Sequence, residues 1–170
     1  VLLVDLAAQQ VDDAHLRGFL NAMSGIQMGN FIAFAERFDF SGHARHCDIG
    51  GAGGQLAIQV ALHNPDVHGA SFDLPRVTEV AAENISAAGL SSRVQALAGD
   101  MFSDPFPQAD IITMGSILHD WNLEQKRLLV RKAFEALPDG GAFAVIETII
   151  DDERRSNVFG LLMSVNMLLE

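Results

Sequence analysis

His119 is the side chain in this sequence best placed to move a proton. The chain has six histidines, at 15, 43, 46, 63, 68 and 119. Only His119 falls just past a segment that reads as a strand on the ligand edge, in Ile117-Leu118-His119-Asp120-Trp121. A neutral imidazole takes a proton from a hydroxyl near neutral pH, and the resulting alkoxide or phenolate is a nucleophile. A lone histidine in a loop is more often structural, but the place of His119 after a strand and beside Asp120 and Trp121 favours the base. Glu147 ends another predicted strand, where an acid also serves as a simple cap. Asp120 reads first as a backbone partner at the start of the following helix. Trp121 reads equally as a core residue or as part of a binding wall.

A second set of residues can hold a ligand. Asp48-Ile49-Gly50-Gly51-Ala52-Gly53-Gly54 puts four glycines in five positions between a predicted strand and a predicted helix. Such a loop turns sharply and lets a ligand approach main-chain N–H groups at a helix start. The dinucleotide fingerprint G-x-G-x-x-G/A is not met: counted from Gly51 and Gly53, the third small residue is Leu56. No P-loop lysine follows. Asp73 lies 20 residues after Gly53 (73 − 53) and can accept hydrogen bonds from a ribose diol. Asp100 in Gly99-Asp100-Met101-Phe102 can bind an adenine amino group while Met101 packs on the ring. Each acid alone reads as a turn or cap. Together Asp48, Asp73 and Asp100 end or follow successive strands, and in a parallel open sheet those ends share one edge. A cofactor with an ammonium group, a ribose diol and an adenine but no phosphate suits acids and glycines without lysine. S-adenosylmethionine is such a cofactor, and its sulfonium adds a second positive charge. An NAD-linked oxidoreductase is the competing reading, disfavoured by Leu56.

These residues need a scaffold that aligns strand ends. Strands are expected at 44–49, 68–73, 94–98, 109–115 and 141–147, with helices at 53–64, 75–88 and 122–137. The alternation predicts an α/β fold with a doubly wound, mostly parallel sheet. In the third of these helices Val130, Ala133, Phe134 and Leu137 recur at helical spacing and mark the expected buried face. Residues 1–40 read as helices, and 156–170 as another.

Composition narrows the partners. The formal net charge is −11, from 11 basic and 22 acidic residues, which argues against nucleic acid. The longest late apolar run, residues 158–169, is 12 residues long, short of the roughly 20 that span a bilayer. No segment suggests membrane-surface binding. The single cysteine, Cys47, excludes an internal disulfide and fits a reducing cytoplasm.

The ordered set Asp48-Ile-Gly-Gly-Ala-Gly-Gly, Phe72-Asp-Leu-Pro, Gly99-Asp-Met-Phe, Ile117-Leu-His-Asp-Trp and Ala136-Leu-Pro-Asp-Gly-Gly resembles the catalytic domain of the plant-type (family 2) small-molecule O-methyltransferases. That family includes caffeate, flavonoid, acetylserotonin and bacterial polyketide or carotenoid enzymes. Each motif is common alone; the ordered set is specific, and it covers about residues 19–170. The resemblance implies a Rossmann-like class I methyltransferase fold. It implies S-adenosylmethionine as cofactor, S-adenosylhomocysteine as product and no metal. The expected reaction is methyl transfer to a hydroxyl of a small aromatic or apolar metabolite, with His119 as general base and Glu147 orienting it. A non-methylating relative that keeps the cofactor is the alternative within the fold.

The cofactor contacts it implies are Asp48, Gly50, Gly51, Gly53, Asp73, Leu74, Asp100, Met101 and Gly115, the last standing where many plant members carry a lysine near the adenine. Met23, Trp121, Met163, Asn166 and Met167 match the acceptor pocket, with core packing as the default alternative. Ala52 departs from the family's usual glycine, which matters only if that residue needs a positive φ. By the same resemblance, residues 1–40 link to a helical dimerisation domain, 41–170 form the cofactor-binding domain cut before its last two strands, and the complete protein is a homodimer. A fragment of this kind is expected to be weakly active or inactive alone.

Overall fold

A computed structural model of the chain describes residues 12–169, with side chains described through residue 165. The elements in order are α1 (Asp13–Arg37), β1 (Arg45–Ile49), α2 (Gln55–His63), β2 (His68–Asp73), α3 (Pro75–Ala87), β3 (Val94–Ala98), β4 (Ile111–Gly115), a 3-10 turn (Leu118–Asp120), α4 (Leu123–Ala136), β5 (Ala142–Ile146) and α5 (Val158–Leu169). The sheet runs β3-β2-β1-β4-β5 with every neighbouring pair parallel. Strand order reverses between β1 and β4, the point at which open parallel sheets leave a crevice at their C-terminal edge. This is the α/β sheet expected from the sequence, with strand ends shifted by at most two residues.

Alternation along the strands sends side chains to two different layers. Cys47, Ile49, Ile112 and Met114 face α4, where they meet Leu129, Ala133 and Ala136. Ile111 faces the opposite layer, packing with Leu56 and Val60 of α2 and with Phe31 and Ala35 of α1. Helix α3 joins that layer through Ile85, against Ala57 and Ile58. Leu16 and Leu20 of α1 lock onto Val77 and Val80 of α3. The described part of the helical N-terminal region forms one 25-residue helix, begun by Asp12, whose side chain accepts from the His15 N–H. The part of the 1–40 expectation before residue 12 lies outside the described residues.

The expected face of α4 is corrected. Val130 is 43% exposed and Phe134 79%, whereas Leu129 and Ala133 are fully buried. The apolar arc on this helix is wider than one face, and the small Ala133 and Ala136 let its backbone close onto the sheet while Phe134 stays outside. Asn122 starts α4 in a reciprocal capping box with Gln125, a device worth about 1 kcal/mol. Among the described residues no helix is long and apolar enough to cross a membrane.

Candidate functional site

The glycine loop leaves β1 at Ile49 and turns directly beneath its neighbours. Gly50 has φ 69°, and a Cβ there would collide with the Ile117 side chain; a Cβ on Gly51 would collide with Ser71 Oγ. A side chain at Gly51 would require Ser71 to rotate away, and one at Gly50 would strain the backbone and displace Ile117. Asn84 of α3 donates its amide to the Gly53 carbonyl at 2.9 Å. Asp73 ties the loop to the end of β2: Oδ2 accepts the Ala52 N–H at 2.8 Å and Oδ1 accepts the Leu74 N–H at 2.7 Å. Ala52 has φ 49°, so the condition under which its departure from glycine matters is met. Leu56 is fully buried against α1 and β4, where a dinucleotide fingerprint would place a small residue.

Two acids under this loop are short of positive charge. Asp48 is buried, and its Oδ1 accepts the Thr113 hydroxyl at 2.7 Å. Burial pushes its carboxyl up to about 7, opposed by the Thr113 bond and assisted by the charge of Asp73. Burial also raises Asp73, against its two backbone N–H bonds. Neither forms an ion pair with a described lysine, arginine or histidine.

The third acid is engaged locally. Asp100 accepts the Phe102 N–H at 2.8 Å and the Ser103 hydroxyl at 3.1 Å, which is the turn-capping role its sequence context also allowed. Lys132 of α4 donates to the Met101 carbonyl and lies 4.6 Å over the Phe106 ring. The turn is thereby anchored from below, and Met101 is held facing Gly50 and Ile117.

His119 sits across the crevice on the 3-10 turn. Its Nδ1 pairs with Glu147 Oε2 at 2.7 Å. The other oxygen of Glu147 accepts the Ile117 N–H at 3.1 Å and the Leu118 N–H at 2.9 Å. One carboxylate thus caps the turn and fixes the imidazole that the turn carries. Asp120 Oδ1 stands 3.1 Å from His119 Nε2, close enough to stabilise a proton on that nitrogen. Asp120 first and Glu147 second raise His119 to about 10, against burial. Burial would raise Glu147, but the His119 ring and the turn's N–H groups outweigh it and hold the acid below its ordinary value.

The expectation that Asp120 bonds backbone at the helix start is corrected: Asn122 caps α4, and Asp120 faces His119. Trp121 is half-buried, packed edge-on to Phe102 with ring centroids 4.6 Å apart. Met23 and Met163 are half-buried on α1 and α5, while the side chains of Asn166 and Met167 lie outside the described residues. The sequence reading missed the contribution of α1. Gln27 Oε1 accepts the Ser116 hydroxyl at 3.0 Å, and Phe31 packs against Gly115, so this helix walls the end of β4. Its polar Ser24 and Gln27, interrupting an otherwise apolar face, were the available signal. Among the described residues no group of three or more His, Cys, Asp or Glu is placed to hold a metal ion.

Residues 6–170 match the O-methyltransferase domain family. The tetracenomycin polyketide synthesis 8-O-methyl transferase TcmO of Streptomyces glaucescens is 37% identical over 93% of this chain and 47% of its own length. The N,N-dimethyltransferase OxyT of Streptomyces rimosus is 43% identical over 78% of this chain and 38% of its own. Human N-acetylserotonin methyltransferase, solved in complex with S-adenosylmethionine, superposes with a TM-score of 0.83 at 29% identity, over 92% of this chain and 45% of that one. The chain spans about half or less of the length of the proteins it matches.

Proposed function

We propose, because this chain belongs to the O-methyltransferase domain family, that it is the cofactor-binding part of an S-adenosylmethionine-dependent enzyme that methylates a hydroxyl of a small aromatic or apolar metabolite. One observation carries the reading: a single sheet edge holds a glycine cradle with two acids lacking a described cation, and beside it a histidine fixed by an acid. The cradle is closely packed at Gly50 and Gly51, and its raised carboxylates suit a ligand that brings positive charge and no phosphate. Asp48 and Gly50, Gly51 and Gly53 would face the methionine portion, Asp73 and Leu74 the ribose, and Asp100, Met101 and Gly115 the adenine. When bound, S-adenosylmethionine supplies the methyl group.

The rest of the chemistry belongs to this chain's own residues. Nδ1–H of His119 donates to Glu147, which leaves Nε2 as the nitrogen that takes the acceptor's proton. Asp120 at Nε2 keeps the ring protonated at neutral pH. The acceptor hydroxyl must therefore displace Asp120 before His119 becomes a base. Glu147 is a positioning residue, because it acts through the ring. Met23, Trp121, Met163, Asn166 and Met167 would form the acceptor wall, where methionine adapts to an apolar guest. Exposed Val158, Phe159, Leu162 and Val165 on α5 support a homodimer for the whole protein, and the single buried thiol fits the cytoplasm.

The OxyT relative favours a second reading, in which the acceptor is an amine. Calorimetry separates the cofactors: binding of S-adenosylmethionine without NAD is the expected result, and the reverse would overturn the reading. Labelled methyl transfer by the complete protein to phenols but not amines is the expected outcome for the acceptor.

A further inference from the structure

His46, Thr113 and Asp48 lie together in the two central strands, each at most 4% exposed. Asp48 and Thr113 are register partners across β1 and β4, and His46 is two residues earlier on the same face of β1. The Thr113 hydroxyl donates to Asp48 Oδ1 at 2.7 Å, and its oxygen meets His46 Nε2 at 2.9 Å. An ionised Asp48 only accepts. The Thr113 hydrogen therefore belongs to it, and the Thr113 oxygen must accept from His46. Nε2 then carries the ring proton, and Nδ1 is bare and without a partner among the described residues. Apolar side chains would fill the same core at lower desolvation cost. What the polar set adds is a fixed direction for Asp48.

We propose that His46 and Thr113 are positioning residues for Asp48, a buried relay that aims its carboxylate under the glycine loop so that entry of a cationic cofactor releases a proton from it. This rests on the S-adenosylmethionine reading above. The titratable groups around Asp48 are His46 on the same face of β1, Cys47 beside Asp48 in the chain on the opposite face, and Asp73 at the end of β2; β4 presents the hydroxyl of Thr113. None supplies positive charge: burial holds His46 down at about 3, keeps Cys47 a thiol, and raises Asp73, an acid that is neutral or negative in either state. With Asp48 lifted to about 7, the ligand-free site at neutral pH mixes carboxyl and carboxylate. An ammonium or sulfonium near the loop favours the carboxylate. The carboxyl O–H then breaks, and its proton leaves to solvent, since His46 does not take it.

The relay can be read without any ligand. Carboxyl carbon NMR of the intact protein, assigned with Asp48→Asn, should show Asp48 titrating near pH 7. Thr113→Val should move that midpoint up by about one pH unit and weaken S-adenosylmethionine about tenfold; Thr113→Ser should restore both. Calorimetry at pH 7 in buffers of different ionisation enthalpy should show about half a proton released per cofactor bound, and none in Asp48→Asn. An unmoved midpoint in Thr113→Val, with cofactor still bound, would overturn the relay and leave the cofactor reading standing. Titration as stated in a protein that takes up no S-adenosylmethionine would overturn the cofactor reading, and the coupled release with it.

Discussion

At the tips of β1 and β2, Asp48 and Asp73 meet no described cation, and burial lifts both above the ordinary carboxylate range. At the tips of β4 and β5, Glu147 is half-buried too, yet it falls below that range because His119 lies 2.7 Å away. The same residue chemistry on one sheet edge is thus set in opposite directions by whether the chain supplies the countercharge. The first pair is complementary to something that arrives with positive charge. The second carries its own, and it must be opened before the imidazole can accept a proton. Position along the edge therefore separates holding a cation from moving a proton.

The largest test of that separation is His119→Gln in the complete protein. Glutamine keeps a hydrogen-bonding side chain beside Glu147 but cannot serve as base, so turnover should fall by about 10² to 10⁴-fold. Calorimetric affinity for S-adenosylmethionine should stay near wild type, because the acids under the glycine loop are untouched. An unchanged rate would reject His119 as base, and a lost affinity would show that the two ends are not separate.

Asp120→Asn should have the next effect, and it acts on pH. The raised His119 contributes stability that is fully present below its ordinary value near 6.5 and is lost as the pH climbs through about 10. Removing the largest cause of that rise returns the ring toward the value Glu147 alone supports. The acid limb of kcat/KM, which reports the free enzyme, should move down by at least about one pH unit. An unmoved limb would show that Asp120 does not govern the ring.

Both ends of the edge were partly legible in the sequence, for different physical reasons. Strand β4 was clear because it is buried and reads as an apolar run, and β1 because the glycine loop marks its end; the residues that end such strands must share an edge. That placed Asp48, Asp73, His119 and Glu147 together from spacing alone. The phase of α4 was not legible, because Leu129, Val130, Ala133, Phe134, Ala136 and Leu137 form an arc wider than one face, and only contact with the sheet selects Leu129, Ala133 and Ala136. The partner of Asp120 was hidden because it is decided by the geometry of a three-residue turn. The relay was hidden because His46 and Thr113 are separated by 67 residues. Its one trace was the polar Thr113 inside the otherwise apolar β4.

Ala52 offers the smallest and cleanest way to sharpen the contrast. It sits at φ 49° in a loop whose N–H is held by Asp73 at 2.8 Å, so the loop keeps a left-handed residue with a Cβ. That conformation costs a non-glycine residue roughly 1–2 kcal/mol. Glycine would relieve it but lose more backbone entropy on folding, an offset of roughly 0.5–1 kcal/mol. Ala52→Gly should therefore stabilise the fold by about 0.5–1 kcal/mol, or raise Tm by roughly 1–4 °C in a domain of this size. Because the strain lies on the cation-holding side, the variant should leave the pH limb governed by His119 where it is. A lower Tm would mean that the surrounding contacts already compensate the left-handed turn. A displaced limb would mean that strain in the glycine loop reaches the imidazole through Ile117, whose side chain packs over Gly50 and whose N–H is held by Glu147.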